Sequence, residues 1–275
     1  MKLNDKTKSD LLVAIFFAFM TFVATFVSHA QDTPLTSTPL VTTTGPNVLG
    51  SGHLMWSGDL NAYHLHSSFL GNDINNYSMV GASTGLRWGI GSKAELTLGV
   101  SAEHAHGRVF DSLSFGSNHL NLTPTLGARV MLLGGNERKN TLTFFTEVTL
   151  PIRRGHPIVE DEGLLAEPII GLQYRHRFSS HWYFDASAGY AWNRHAPYFR
   201  MSDRPFRLAL FARWLPNERW MFSVGLDNLQ ARTEAMWQVN DNLQLKAQLC
   251  VDGGKGSDYS AFSIYGLAGF SWMIR

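Results

Sequence analysis

The chain has 275 residues, a length suited to one large β domain or two small ones, and a formal net charge of +1. Charged residues make up 16%, well under the roughly 25% of an ordinary soluble domain. A nucleic-acid partner, which would need a basic face, is excluded by the near-zero charge, and a single cysteine, Cys250, excludes an internal disulfide.

The chain opens with Lys2, Lys6 and Lys8, then one long apolar run from Leu11 to Val27, then Ser28-His29-Ala30. A positive segment, an apolar core and small residues at −3 and −1 predict a cleavable export signal over residues 1–30. Three of the 23 basic and two of the 22 acidic residues fall in it, so the remainder carries 20 of each sign. No second run of about 20 apolar residues follows, which excludes a bundle of membrane helices. Residues 31–49, rich in Thr and Pro, predict an extended tether or plug segment.

From residue 50 to 275 the helical period is absent and apolar residues alternate with small or polar ones. The alternation predicts twelve strands, near 52–66, 75–90, 94–106, 117–133, 141–150, 165–178, 182–193, 205–214, 219–227, 233–239, 243–251 and 260–274. Tight connections such as Gly91-Ser92-Lys93, Ser179-Ser180-His181, Pro216-Asn217-Glu218 and Asn240-Asp241-Asn242 predict one end. Longer ones, such as those starting at Gly107, Pro151 and Asn193, predict the other. Pro124 and Pro168 fall inside strands, where their missing N–H groups interrupt a ladder.

The segment from Trp182 to Trp192, WYFDASAGYAW, carries tryptophan at both ends of its apolar face. Seven of the eight tryptophans (Trp56, Trp88, Trp182, Trp214, Trp220, Trp237 and Trp272) fall near a tight turn or a barrel terminus and share parity with the apolar set of their strand. Trp192 stands at the opposite end. Rings at a fixed height on an apolar face match the aromatic girdle of a membrane barrel, whereas a soluble sandwich needs no such ring. The pattern therefore predicts an all-β, antiparallel transmembrane barrel of about twelve strands, with lipid outside and the tight turns on the periplasmic side of a Gram-negative outer membrane.

The opposite parity then faces inward. It holds Arg87, Arg129, Arg175, Arg177, Arg207, Arg213 and Lys246 against Asp59, Glu95, Glu103, Glu147, Glu167, Asp185, Asp227 and Glu234. Balanced signs predict ion pairs across the lumen, either bracing the barrel or forming a selective constriction. Pore-lining candidates are Arg87, Glu95, Arg129, Glu147, Glu167, Arg175, Asp185, Arg207, Asp227 and Lys246. Arg87 and Glu95 flank a tight turn, close to opposite one another and both facing inward, and as a cross-strand pair they are expected to contribute about 0.2–1 kcal/mol. His64 with His66, and His104 with His106, have a spacing metals can use, but their parity is that of the lipid face, and neither metal nor other cofactor is predicted. His64, His66, Ser67 and Ser68 are the candidates for an acyl-hydrolase alternative; no ordered triad emerges, and the expectation is a non-enzyme.

The stretches TTTGPNVLGSGHLMWSGDLNAYHLH and STGLRWGIGSKAELTLGVSAEH resemble the outer-membrane proteins of the "MetA-pathway of phenol degradation" family. Leu86-Arg87-Trp88-Gly89 and Glu95-Leu96-Thr97-Leu98-Gly99 carry the resemblance, as does the closing GFSWMIR. The resemblance implies an outer-membrane barrel that passes small, hydrophobic or aromatic solutes, with lipid and solute as its partners. A closed structural or adhesive barrel is the alternative.

Overall fold

Period-2 alternation sends successive side chains to opposite faces, and when one set is apolar and the other charged, the sheet must separate two unlike media. The computed structural model describes residues 46–109, 113–135, 138–150, 152–154, 167–191, 206–227, 230–255 and 259–274. These form strands β1 (Leu54–Phe69), β2 (Asn72–Gly91), β3 (Ala94–Val109), β4 (Leu113–Leu133), β5 (Asn140–Thr149), β6 (Ile152–Arg154) and β7 (Glu167–Arg177). They continue with β8 (Trp182–Ala191), β9 (Phe206–Asn217), β10 (Trp220–Asp227), β11 (Gln230–Gln238), β12 (Leu243–Lys255) and β13 (Tyr259–Ile274). All pairings are antiparallel, and β13 returns to β1 from Leu54↔Ile274 to Phe69↔Tyr259.

The result is a closed barrel of twelve staves. β6 is no separate stave: it pairs with β4 as Leu122↔Ile152 in the register that β5 leaves at Thr125↔Thr149. The interruption falls beside Pro124, which has no N–H to offer the ladder, although its carbonyl still accepts from Leu150 N at 2.9 Å. Pro168, by contrast, sits at the second residue of β7 opposite Val148 and leaves the pairing intact.

Each predicted strand is present, but the end opposite the tight turns differs from expectation. β1 to β4 run 16, 20, 16 and 21 residues, and β12 and β13 run 13 and 16, while β5 and β7 to β11 have 8 to 12. About 9–11 residues cross a membrane, so six staves form a tall wall that projects past the end opposite the tight turns. The expected loop after Gly107 is mostly strand, and Ile152–Arg154 in the next one is strand as well. The connection expected between 66 and 75 is a two-residue turn. Leu70 (φ 50°) and Gly71 (φ 79°) both take the left-handed region that this hairpin geometry requires. The connection from Asn193 lies outside the described residues.

The tight turns are held by side-chain mimicry of backbone acceptors. Asn217 Oδ1 accepts from Arg219 N (2.9 Å) and Trp220 N (3.0 Å), and Asn240 Oδ1 accepts from Asn242 N and Leu243 N (both 2.9 Å).

The two faces are inverted relative to a soluble barrel. On β9, Arg213 is 0% exposed and its neighbour Trp214 is 42% exposed. Outside, Trp182, Trp214, Phe222, Trp220 and Trp237 form a continuous row across β8 to β11 near the tight turns, with consecutive ring centroids 5.6–6.2 Å apart. Trp56 adds an edge-to-face contact with Phe270 at 4.9 Å and donates Nε1 to Thr84 Oγ1 at 2.7 Å. Trp192 lies outside the described residues. An apolar exterior with a charged interior suits hydrocarbon outside, where an Arg or Lys would cost about 2–4 kcal/mol at mid-depth.

Candidate functional site

At the tight-turn end the lumen has an apolar floor. Tyr183, Leu215, Met221 and Met236 pack together from β8 to β11, and Leu49, Met55 and Met273 form a second buried cluster. Methionine fills such irregular space well because it is unbranched and flexible. Gln244 Nε2 donates to Met236 Sδ at 3.0 Å.

Above the floor lies a belt of buried ion pairs. Arg175 donates Nε to Asp185 Oδ1 (2.6 Å) and Nη2 to Oδ2 (2.7 Å). Arg213 bridges Asp185 Oδ2 (2.5 Å) and Glu234 Oε2 (2.6 Å), and Ser223 Oγ also donates to Glu234, at 3.0 Å. In the second group Arg87 grips both oxygens of Glu95 (2.7 and 2.8 Å), and Arg129 Nη1 reaches Oε1 at 3.2 Å. Bidentate arginine–carboxylate pairs of this kind are the strong form of the contact.

The chain just before β1 crosses the lumen at this level. Pro46, Asn47, Val48 and Leu49 are buried. Glu95 Oε2 accepts from Leu49 N at 2.8 Å, Arg87 Nη2 donates to Asn47 O at 3.0 Å, and Arg175 Nη1 donates to Asn47 Oδ1 at 3.0 Å. Residues 46–49 of the expected plug segment thus sit inside the barrel, and 31–45 lie outside the described residues.

Beyond the belt is a cavity of about 580 Å³. One wall, from β1 to β4, is built of hydroxyl and glycine positions: Ser57, Ser83, Thr97, Gly99, Ser101 and Thr125. The other carries Phe145, Glu147, Arg207, Asp227 and Lys246, with Ile169 between. Lys246 Nζ pairs with Asp59 at 2.8 Å, and Arg232 pairs with Asp227.

Six of the ten candidates line this cavity: Arg87, Arg129, Glu147, Arg207, Asp227 and Lys246. Three others, Glu95, Arg175 and Asp185, face inward as parity predicts, but each is 2% exposed or less and is consumed by the belt beneath the cavity. The side chain of Glu167 lies outside the described residues. Arg87 and Glu95 meet across the β2–β3 hairpin as inward-facing diagonal neighbours, Arg87 facing Thr97 and Glu95 facing Gly89, with their charged groups 2.7 Å apart, Glu95 fully buried and Arg87 partly so.

Two residues were missed. Arg232 enters the lumen because β11 begins at Gln230, three residues before the predicted start. Phe145 carries no charge to mark it as inward, although adjacent Phe144 and Phe145 must send one ring inward. On the outer face His64 Nδ1 lies 3.0 Å from Ser78 Oγ, and Ser68 Oγ lies 2.8 Å from Ser260 Oγ, so the histidine and this serine of the hydrolase alternative are engaged elsewhere.

No family model matches the sequence, and no curated protein does. Among solved structures, the COG4313 outer membrane channel from Pseudomonas putida F1 superposes with a TM-score of 0.54 at 12% identity, covering 85% of this chain and 100% of that one. The Pseudomonas putida toluene transporter TodX follows at 0.48 and 9%, covering 86% and 92%, and the Ralstonia pickettii toluene transporter TbuX at 0.47 and 8%, covering 82% and 90%. At 12% identity it is the fold that is shared: the chain has the closed antiparallel barrel of an outer-membrane channel.

Proposed function

We propose that the protein is an outer-membrane channel for small solutes, exported by its N-terminal signal and inserted with the tight turns toward the periplasm. The observation that carries this reading is the inverted barrel with a polar cavity of about 580 Å³ inside it. A structural or adhesive barrel needs no such chamber. Access from the cavity to the periplasmic mouth is restricted by the ion-pair belt, the methionine floor and residues 46–49. These contacts make the segment a candidate plug, whose displacement would widen the path. The motifs around Arg87 and Glu95 support kinship with the "MetA-pathway of phenol degradation" family, and with it a non-enzymatic transport role. The hydrophobic or aromatic solute which that kinship implies would meet Phe145 and Ile169 on one side, but mostly hydroxyl groups on the other.

Planar-bilayer recording of the purified protein tests the proposal. Discrete single-channel steps are expected, and deletion of residues 31–49 should raise the conductance. Silence from both proteins would leave the closed structural barrel as the better reading.

A further inference from the structure

The charges lining the cavity are matched, with two exceptions. Lys246 is paired with Asp59, Arg87 and Arg129 with Glu95, and Asp227 with Arg232. Glu147 on β5 and Arg207 on β9 line the same chamber, and among the described residues neither makes an ion pair or a side-chain hydrogen bond. Arg207 and Arg129 are the charges that act on the Glu147 carboxylate. Three inter-strand steps, β5 to β7 to β8 to β9, part the backbones of Glu147 and Arg207. Arg207 shares its ladder row with Phe145, and Glu147 stands two residues further along β5. At about 4.8 Å per step and about 3.4 Å per residue the two backbones are about 16 Å apart, with both side chains reaching into the lumen from opposite sides of a space that one small molecule can fill.

The ground between them is shaped. Phe145 pairs with Gly171, Gly171 with Gly189, and Gly189 with Arg207. The Phe145 ring lies over this glycine pair: its Cε1 is 2.6 Å from where a Cβ on Gly171 would sit, and its Cζ 3.3 Å from a Cβ on Gly189. Any side chain at Gly171 would push the ring away, so the glycine sets the position of the aromatic surface. Ile169, opposite Glu147 in the ladder, and Ala209 extend the apolar strip.

A carboxylate, a guanidinium and an apolar aromatic strip between them are complementary to a zwitterion with an apolar body. We propose that this part of the cavity is a binding site for small α-amino acids: Glu147 takes the ammonium, Arg207 the carboxylate, and Phe145 with Ile169 the side chain. Each piece follows from its chemistry. Arginine binds a carboxylate through two parallel N–H donors. An ammonium group is drawn both to the Glu147 charge and to the negative face of the Phe145 ring. Discrimination follows too, since an amine alone leaves Arg207 uncompensated, an acid alone meets the repulsion of Glu147, and a hydrocarbon satisfies neither. The site rests on the channel reading for its place on a solute path, though not for its affinity.

The test is equilibrium dialysis of the full barrel in detergent with phenylalanine, phenethylamine and 3-phenylpropanoate, alongside bilayer recording of the same preparations. Phenylalanine should bind at least tenfold more tightly than the amine or the acid. Glu147→Gln and Arg207→Gln should each weaken it by tenfold or more, and in Arg207→Gln its advantage over phenethylamine should vanish. Phe145→Leu, a milder change that keeps the strip apolar, should weaken binding severalfold. Heat-modifiable migration on gels confirms that each variant is folded. No binding of phenylalanine, equal binding of the half-ligands, or indifference to both charge substitutions would overturn the site. Binding without conductance would overturn the channel reading and leave the site standing; conductance without binding would do the reverse.

Discussion

Glu95→Gln puts the belt to its sharpest test. The Glu95 carboxylate is fully buried and accepts from Arg87, from Arg129 and from the backbone of Leu49. The substitution keeps the shape and one acceptor oxygen but removes the counter-ion of two guanidinium groups, Arg129 buried and Arg87 partly buried. Breaking a buried pair from one side costs about 3–5 kcal/mol. The remaining amide oxygen argues for the lower end, about 3 kcal/mol, which is roughly two decades in an equilibrium constant at 1.4 kcal/mol per decade. An exposed cross-strand pair would be worth only about 0.2–1 kcal/mol, so the two pictures of this contact differ in a measurable way. Urea unfolding from lipid vesicles, followed by tryptophan fluorescence, supplies the number. The variant should also release residues 47–49, seen as higher conductance, with a reversal potential displaced toward anion selectivity. An unchanged urea midpoint together with unchanged conductance would refute the belt as both brace and clasp.

Asn47→Ala, which removes the acceptor of Arg175 Nη1, should cost about 1 kcal/mol and raise conductance without changing the fold, checked by the same two assays. Trp182→Asp and Trp220→Asp break ring contacts in the outer row and place a charge at the lipid boundary; losses of about 1–2 kcal/mol are expected, read as reduced insertion and lower heat resistance. Ser187→Asp, on the cavity side, should be milder, and equal tolerance at all three positions would remove the parity reasoning. In a Cys250→Ala background, cysteines at Ser180 or Asp241 should be shielded in intact cells from an impermeant thiol reagent, while those at Ser112 or Glu160, which lie outside the described residues, should be labelled. The reverse pattern would invert the barrel.

Parity makes the sidedness of the barrel readable from the sequence. Trp182 and Asp185 differ by an odd number of positions, and no pleated strand can place both on one face. The twelve staves were legible for the same reason. Strand ends were not, because a hairpin such as Leu70–Gly71 needs only one glycine and gives no polar run to announce it. Missing the first three residues of β11 cost the identification of Arg232 as an inward charge. Pairing was also illegible. Parity says that Arg213 faces inward, but only the inter-strand register shows that it stands beside Ser223, and Ser223 beside Glu234. The crossing of Asn47 is set by contacts 40 and 128 residues away in the chain, which local pattern cannot carry.

A barrel with lipid outside cannot use a hydrophobic core across its whole interior, because its inward face must stay compatible with water. Its interior cohesion has to come from the ladder and from polar contacts made across the lumen. Here those contacts are concentrated at one height. Arg175, Asp185, Arg213 and Glu234 form one chain of alternating charge, and Arg87, Glu95 and Arg129 another. Once the bracing charges are used at that level, the inward positions above it are free to be small. Gly85, Gly99, Ser101 and Ser187 occupy them, and the cavity is the space they leave. Among the described residues Glu147 and Arg207 then stand apart from the braces, on strands too far apart in the wall to serve as one without both side chains reaching across. A charge kept in a lumen without a structural partner is costly unless water or a solute satisfies it. Their position above the belt, beside the Phe145 ring, is where a passing solute would be held.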